Sequence, residues 1–317
     1  MDVLIAEDLY TRAEPLWAAS GHRFHRADGK DEGAMAKAFA AGGIRALIIG
    51  TKKYSDAFYE GMPEGTLVQR FGVGFDSVPL ELCKRKKIRV GYTPGTLDAA
   101  VAEHTLALLL SIAHQIPAAH ADLTGGTWQG RAGLQVAGKT LALLGFGPIA
   151  RRVARMAKRG LEMRVQVYNN FGEIPKSEQQ DIDALFGDLA PALEGADFVS
   201  MHLRAVDPTR HFIRAETLAR FKPGAVFLNT ARGSLVNEGD LFDAIASGRL
   251  GGAALDVFEK EPYEPQGGKD LRKLRQVVLT PHVGSNSDGA NRAMAESCLK
   301  NLAALEAGGP LTLVPGS

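Results

Sequence analysis

The feature that most constrains this chain is a glycine turn set between a strand and a helix. Thr140–Leu144 is a short apolar run, Gly145-Phe146-Gly147-Pro148-Ile149-Ala150 follows it, and an amphipathic stretch, Ala150–Arg159, continues from there. The glycines allow a tight turn and a close backbone approach to a pyrophosphate, and a helix start offers it unpaired N–H groups and the positive end of a dipole. Pro148 suits a first helical turn, where its missing N–H removes nothing. Ala150 takes the third glycine position, which serves helix–strand packing. Because strand, turn, helix and next strand are all present, Gly145, Phe146, Gly147, Pro148 and Ile149 are the expected dinucleotide cradle.

Around that turn, short apolar runs alternate with longer amphipathic ones. Val3–Ala6, Ala46–Ile49, Leu67–Arg70 and Arg89–Tyr92 read as strands, with helices expected at Tyr10–Ser20, Glu32–Ala41, Ser55–Glu60 and Leu80–Lys86. This first lobe ends near Thr96. A long helix is expected from Asp98 to about Ile116, stopped by Pro117, then a polar connector around Gly125–Gly133. A second series supplies six strand candidates: Thr140–Leu144, Arg164–Tyr168, Phe198–His202, Ala225–Asn229, Gly252–Leu255 and Val277–Thr280. Strands alternating with helices predict an α/β fold, with a doubly wound parallel sheet in the second series. A helix over about Asp288–Ala307 closes the chain.

Composition sets the outer limits. A chain of 317 residues suggests two domains, each large enough to fold without disulfides or metals. A net charge of +1 gives no electrostatic reason to expect nucleic acid or an anionic membrane as partner. Glu103, His104 and His114 interrupt the greasy stretch Ala99–Ile116, which therefore reads as a buried helix. Cys83 and Cys298 lie in no metal-ligand spacing, so a buried, inert role in a reducing compartment and no metal site are expected. The opening run, Asp2–Ala6, is strand-like with no secretory pattern, and the cytoplasm is the expected location.

The strand after the glycine turn ends Tyr168-Asn169-Asn170, where an acidic residue would grip a ribose 2′-hydroxyl. Asn169 neither repels a 2′-phosphate nor attracts one, so the sequence leaves NAD or NADP open; the reach of Arg151 and Lys176 is not readable. Three further segments follow strands: Asn229-Thr230-Ala231-Arg232-Gly233, Leu255-Asp256-Val257-Phe258-Glu259-Lys260-Glu261-Pro262 and Thr280-Pro281-His282-Val283-Gly284. All lie at carboxyl ends of strands in one sheet, where such folds bind ligands.

These motifs, in this order, resemble the D-isomer-specific 2-hydroxyacid dehydrogenase family over nearly the whole chain. Carried over position by position, Arg232, Glu261 and His282 match the family's catalytic residues. Phe71-Gly72-Val73-Gly74-Phe75-Asp76 resembles its substrate loop, offering Val73 and Gly74 as substrate contacts, and Val101-Ala102-Glu103 resembles the start of its interdomain helix. The resemblance implies a Rossmann-type doubly wound domain, 98–284, inserted into a flavodoxin-like substrate or lid domain, 1–97, to which 285–317 returns. It implies a cleft that closes over substrate, and a homodimer, for which the helix Ala99–Ile116 is a candidate element. It places Thr230, Ala231, Arg232, Asp256, His282 and Gly284 around the cofactor, Asp256 facing the nicotinamide.

The roles also follow from chemistry. Reducing a 2-oxo acid needs a cation for the carboxylate, and the planar fork of Arg232 binds one with two parallel hydrogen bonds. The carbonyl oxygen gains charge as hydride arrives, so a donor titrating near neutrality is needed, as His282 is. A carboxylate on the far ring nitrogen, Glu261, would orient the imidazole and favour its charged form.

Other residues carry less. His202 ends a strand at the carboxyl edge and is a candidate cofactor contact. His104 and His114 read as packing or interface residues, and His22, His25, His120 and His211 as surface residues. Leu203-Arg204-Ala205-Val206 replaces the family's Pro-containing turn, and Arg204 is expected to face water. Lys52, beside Lys53, is a candidate for a second anionic group of the substrate, against the alternative of a solvated loop lysine. Two other functions share the pattern: an NAD(H)-sensing corepressor, which turnover of any 2-oxo acid would separate, and a dehydrogenase of another small anion such as phosphite. Glu261 argues against formate, whose enzymes pair the histidine with glutamine. No added regulatory domain is expected at this length, and the substrate's side group is not readable.

Overall fold

The computed structural model describes residues 1–170 and 172–316. The chain divides into two compact units, Met1–Ala100 with Ser285–Ser317, and Val101–Gly284.

The first unit holds five parallel strands: β1 (Asp2–Ala6), β2 (Arg23–Ala27), β3 (Ile44–Ile49), β4 (Leu67–Arg70) and β5 (Arg89–Gly91). Their order, β2-β1-β3-β4-β5, is the flavodoxin-like one. Leu4, Leu47, Ile49, Val68 and Val90 build its core. Strand β2 is not visible in the hydrophobic pattern. Arg23, His25 and Arg26 stand in it because it is an edge strand, where charge guards the open rim. The expected helix Tyr10–Ser20 is two, Glu7–Arg12 and Glu14–Ala19, broken at Ala13 with Pro15 in the second's first turn. The closing helix, Asp288–Ala307, starts on Ser287, whose side chain accepts from the Ala290 N–H. It is fixed by Asn301, which donates to Gln69 Oε1 at 2.7 Å and to the Thr312 carbonyl at 3.0 Å.

The second unit holds seven parallel strands: β6 (Thr140–Leu144), β7 (Arg164–Tyr168), β8 (Ala184–Phe186), β9 (Phe198–Met201), β10 (Val226–Asn229), β11 (Gly252–Leu255) and β12 (Val277–Leu279). Their order is β12-β11-β10-β9-β6-β7-β8. The chain winds outward from β6 in one direction and from β9 in the other, so the switch point lies between these two, and the glycine turn follows β6. The strand beyond the six expected is β8, three part-exposed residues too short to mark the sequence.

Helix Asp98–Ala113 buries Val101, Ala102, Thr105, Leu106, Leu108, Leu109 and Ala113. It ends earlier than expected: Gln115 is left-handed (φ 52°), and a new helix, Ile116–Thr124, departs at 60°. Pro117 sits in the first turn of that second helix, where its missing N–H costs nothing, instead of ending the first. No single helix among the described residues is long and apolar enough to cross a membrane.

Candidate active site

Strand β6 is buried throughout and delivers its chain to Gly145, which is left-handed (φ 96°). A methyl group there would lie 2.9 Å from the His202 carbonyl oxygen, so only glycine lets the turn pass the end of β9. At Gly147 a methyl would meet nothing within 4 Å, so this α-carbon faces open space at the mouth of helix Pro148–Leu161. No side chain caps that helix end. Its first-turn N–H groups therefore fit a pyrophosphate, and Gly145, Phe146, Gly147, Pro148 and Ile149 are the residues that would hold it. On the sheet side Ala150, Val153, Ala154 and Ala157 are buried.

At the end of β7, the Asn169 backbone N–H donates to Phe186 O at 2.9 Å and its side-chain amide to Gly172 O at 2.7 Å. Among the described residues its amide oxygen has no partner, which leaves it able to accept from a ribose hydroxyl. Arg151, in the second turn of the helix, is ion-paired to Glu178. His202, after β9, binds Ser200 Oγ through Nε2 at 2.9 Å, and burial pushes its pKa down to about 4, so it is neutral near pH 7. Arg204 is exposed, as expected.

The loop after β10 is shaped by buried Asn229, whose Oδ1 accepts from Ala231 N (3.0 Å) and whose Nδ2 donates to Arg232 O (2.8 Å). Thr230 Oγ1 meets Thr105 Oγ1 at 2.8 Å, and Arg232 Nη1 donates to Ala231 O at 2.8 Å. Gly233 makes the next approach possible. A methyl on it would sit 1.8 Å from the Phe258 carbonyl carbon and 2.3 Å from Glu259 N, so the Arg232 loop lies directly on the segment leading to Glu261.

After β11, Asp256 is 2% exposed. Its Oδ1 accepts from Thr280 Oγ1 (2.6 Å) and Val283 N (2.9 Å), and its Oδ2 from Gly284 N (2.8 Å). His104 Nε2 lies 3.3 Å from Oδ1 and 3.1 Å from Thr280 Oγ1. Burial alone would raise the Asp256 pKa, but the hydrogen bonds from His104, Thr280, Val283 and Gly284 outweigh it and hold the carboxyl below its usual range. Asp256 thus spends its carboxylate on anchoring the turn after β12. On that turn His282 is left-handed (φ 54°), and its N–H donates to Asp256 O at 2.8 Å. Its Nδ1 meets Glu261 Oε2 at 2.7 Å, while Glu261 Oε1 accepts the Phe258 N–H at 3.1 Å. Among the described residues Nε2 of His282 has no partner, so it is the nitrogen left to face a ligand.

Arg232, Asp256 and His282 therefore leave the carboxyl ends of three neighbouring strands, β10, β11 and β12. The span is two strand spacings, roughly 10 Å. The hydrophobic pattern did not mark His104, Gly233 or Glu238, the last of which accepts the Glu259 N–H at 2.7 Å. Three surface expectations are corrected, one in this unit and two in its companion. His211 bonds Glu259 at 2.5 Å and is only partly exposed, and in the first unit His22 is 8% exposed beside Glu306 while His25 bonds Asp2 at 2.6 Å. Exposed histidines are His114 and His120.

In the first unit Lys52 and Lys53 are exposed, while Val73 and Gly74 are partly buried. Arg70, at the end of β4, is 2% exposed and was missed. It donates to Gly74 O at 2.9 Å, to Ile49 O at 2.8 Å and to Gly50 O, tying the Gly50 and Val73–Gly74 loops to one buried guanidinium.

Fold and site together define a dinucleotide-dependent dehydrogenase with a histidine–carboxylate pair. Residues 106–284 match the family model described as D-isomer specific 2-hydroxyacid dehydrogenase, NAD binding domain. The chain belongs to that family and is an NAD(P)-dependent oxidoreductase. It is 36% identical to a glyoxylate reductase of Thermococcus litoralis over 81% of this chain and 79% of that one. It is 36% identical to a hydroxypyruvate reductase of Thermotoga maritima over 71% and 72%. A solved structure of a protein from Thermus thermophilus superposes with a TM-score of 0.82 at 32% identity, covering 99% of each chain.

Proposed function

We propose that the chain reduces a small 2-oxo acid, with glyoxylate and hydroxypyruvate the first candidates, to its 2-hydroxy acid, the D form where the product is chiral. The observation that carries this reading is the 2.7 Å contact between His282 Nδ1 and Glu261, two strands from Arg232. Arg232 receives the substrate carboxylate. Glu261 accepts the hydrogen bond from Nδ1–H and holds the ring, and Nε2 of His282 gives its proton to the carbonyl oxygen as charge develops there. When bound, the nicotinamide supplies the hydride. Residues 98–284 are the dinucleotide unit and 1–97 with 285–317 the substrate unit, where Lys52, Val73 and Gly74 are substrate contacts. His202, Thr230, Ala231, Asp256 and Gly284 complete the cofactor side, Asp256 by holding the His282 turn.

The segment after the long helix supports a homodimer. Ile116, Leu123, Trp128 and Leu134 are exposed, Trp128 at 90%, and helix Ile116–Thr124 buries no residue. Helix Asp98–Ala113, the earlier candidate, is committed to its own core. Light scattering gives the oligomeric state.

The test of the reaction is turnover with both cofactors. His282→Ala should lower kcat for reduction by about 10²–10⁴ with cofactor affinity little changed. Glu261→Gln should be milder, lowering kcat without abolishing it, because the amide oxygen can still accept from Nδ1–H and orient the ring but carries no charge. A His282→Ala enzyme at full speed, or a Glu261→Gln enzyme with wild-type kcat, would show that this pair is not the acid–base unit.

A further inference from the structure

Glu261 reaches His282 from a short turn, Phe258–Glu261, whose N–H groups are taken by carboxylates. Phe258 N–H donates to Glu261 itself at 3.1 Å, and Glu259 N–H donates to Glu238 Oε1 at 2.7 Å. Glu238 is the first residue of helix Glu238–Ala246, whose start is fixed by Asn237 accepting from Asp240 N. The bond from Glu259 therefore ties the turn to a rigid element. On its other side the turn lies against Gly233, next to Arg232. The Glu259 carboxylate is held by His211 at 2.5 Å and by Arg210 at 3.5 Å.

We propose that Glu238 is a positioning residue for the acid–base pair, fixing through the Glu259 N–H the turn from which Glu261 reaches His282. Burial and the charges of Glu259 and Glu261 raise the Glu238 carboxyl above its usual range, while the Glu259 N–H opposes them. Among the described residues Glu238 bonds the Glu259 N–H and neither Glu261 nor His282. It acts through backbone geometry. Placing a catalytic group within a fraction of an ångström is what such a bond secures, since small misplacements of reacting groups are costly in rate.

The proposal rests on the reading of Glu261 and His282 given above, and its test separates the two. Four proteins are compared for kcat, NAD(P)H affinity and thermal stability: wild type, Glu238→Ala, Glu238→Gln and Glu261→Gln, together with the double variant Glu238→Ala/Glu261→Gln. Glu238→Ala removes the acceptor and should lower kcat about tenfold or more with NAD(P)H affinity within twofold. Glu238→Gln keeps an oxygen acceptor for the Glu259 N–H and should restore kcat to within about threefold of wild type. In the Glu261→Gln background, Glu238→Ala should cost much less than it does alone, because coupled residues are not additive. Wild-type kcat in Glu238→Ala overturns the proposal. So does a Glu238→Gln enzyme as impaired as Glu238→Ala, or an undiminished loss in the double variant. If Glu238→Ala fails to fold, the Glu238→Gln arm still decides, because a kcat reduced as far as that of Glu261→Gln would refute a role through hydrogen bonding. A Glu261→Gln enzyme with wild-type kcat overturns the acid–base reading itself.

Discussion

Gly233→Ala tests whether the proposed carboxylate-binding loop and the proposed acid–base turn are held together by contact. The added methyl would lie 1.8 Å from the Phe258 carbonyl carbon, 2.0 Å from its oxygen and 2.3 Å from Glu259 N. Ordinary contact begins near 3.4 Å, so the two segments must part by about 1.6 Å at the nearest atom. All three neighbours are backbone, so no side-chain rotation relieves the clash. Overpacking of this kind costs about 1–3 kcal/mol, which for a unit of this size is about 2–12 °C in Tm. The functional effect should be larger than the stability effect. The Phe258 N–H is bonded to Glu261, and Arg232 precedes Gly233, so parting these segments moves the two groups away from each other. A misplacement of about 1 Å costs on the order of 10²-fold in rate. We expect kcat/KM for the proposed 2-oxo acid substrate to fall about 10²-fold, with NAD(P)H affinity within a few-fold, because the glycine turn follows β6 and not β10. The assay is steady-state reduction beside a fluorescence titration of the cofactor on the same folded preparation. A folded Gly233→Ala enzyme within threefold of wild type would refute the idea that this contact sets the spacing.

Asn169→Asp should raise the preference for NAD over NADP by about tenfold, since a carboxylate accepts strongly from a 2′-hydroxyl and repels a 2′-phosphate; an unchanged ratio of kcat/KM for the two cofactors would remove Asn169 from the ribose. Asp256→Asn leaves one oxygen where two accept, so one of the Val283 and Gly284 N–H groups would face an amide donor; the expected loss is about 2 kcal/mol, or about 4–8 °C in Tm at neutral pH. The pH sign follows from the depressed folded-state pKa. The wild-type contribution is present above the unfolded value near pH 3.9 and is lost as pH falls through the folded value, so wild type and variant should converge in acid. A Tm difference that stays constant from pH 7 to strongly acidic pH would contradict this.

What the sequence disclosed and what it hid divide along one physical line. The glycine turn and the segments around Arg232, Glu261 and His282 are local signals: backbone demands and chemical types at fixed offsets from an apolar strand. Edge strands β2 and β8 were hidden because one is guarded by charge and the other is three residues long. The supporting residues were hidden because their meaning is a distant partner. His104 meets Thr280 across 176 positions, and Arg70 serves two loops in separate segments. Gly233 reads as an ordinary loop glycine until the backbone of Phe258 is placed against it.

The same distinction explains the backbone of His282. A left-handed conformation is unfavourable for a residue that carries a Cβ and persists where its surroundings over-determine it. Here they do. The N–H of His282 donates to the Asp256 carbonyl, and the N–H groups of Val283 and Gly284 donate to the Asp256 carboxylate, so three successive amides are drawn to one residue. The chain has to curl around Asp256, and Gly284 is suited to the tight end of that curl, where a methyl would lie 3.0 Å from Oδ2. The curl sends the imidazole toward Glu261, which takes Nδ1 and leaves Nε2 for the ligand. In the proposed mechanism the buried Asp256 carboxylate therefore sets the backbone of the turn and Glu261 sets the ring, so the nitrogen left to act is fixed by two carboxylates that both follow β11, the strand beside the one that delivers His282.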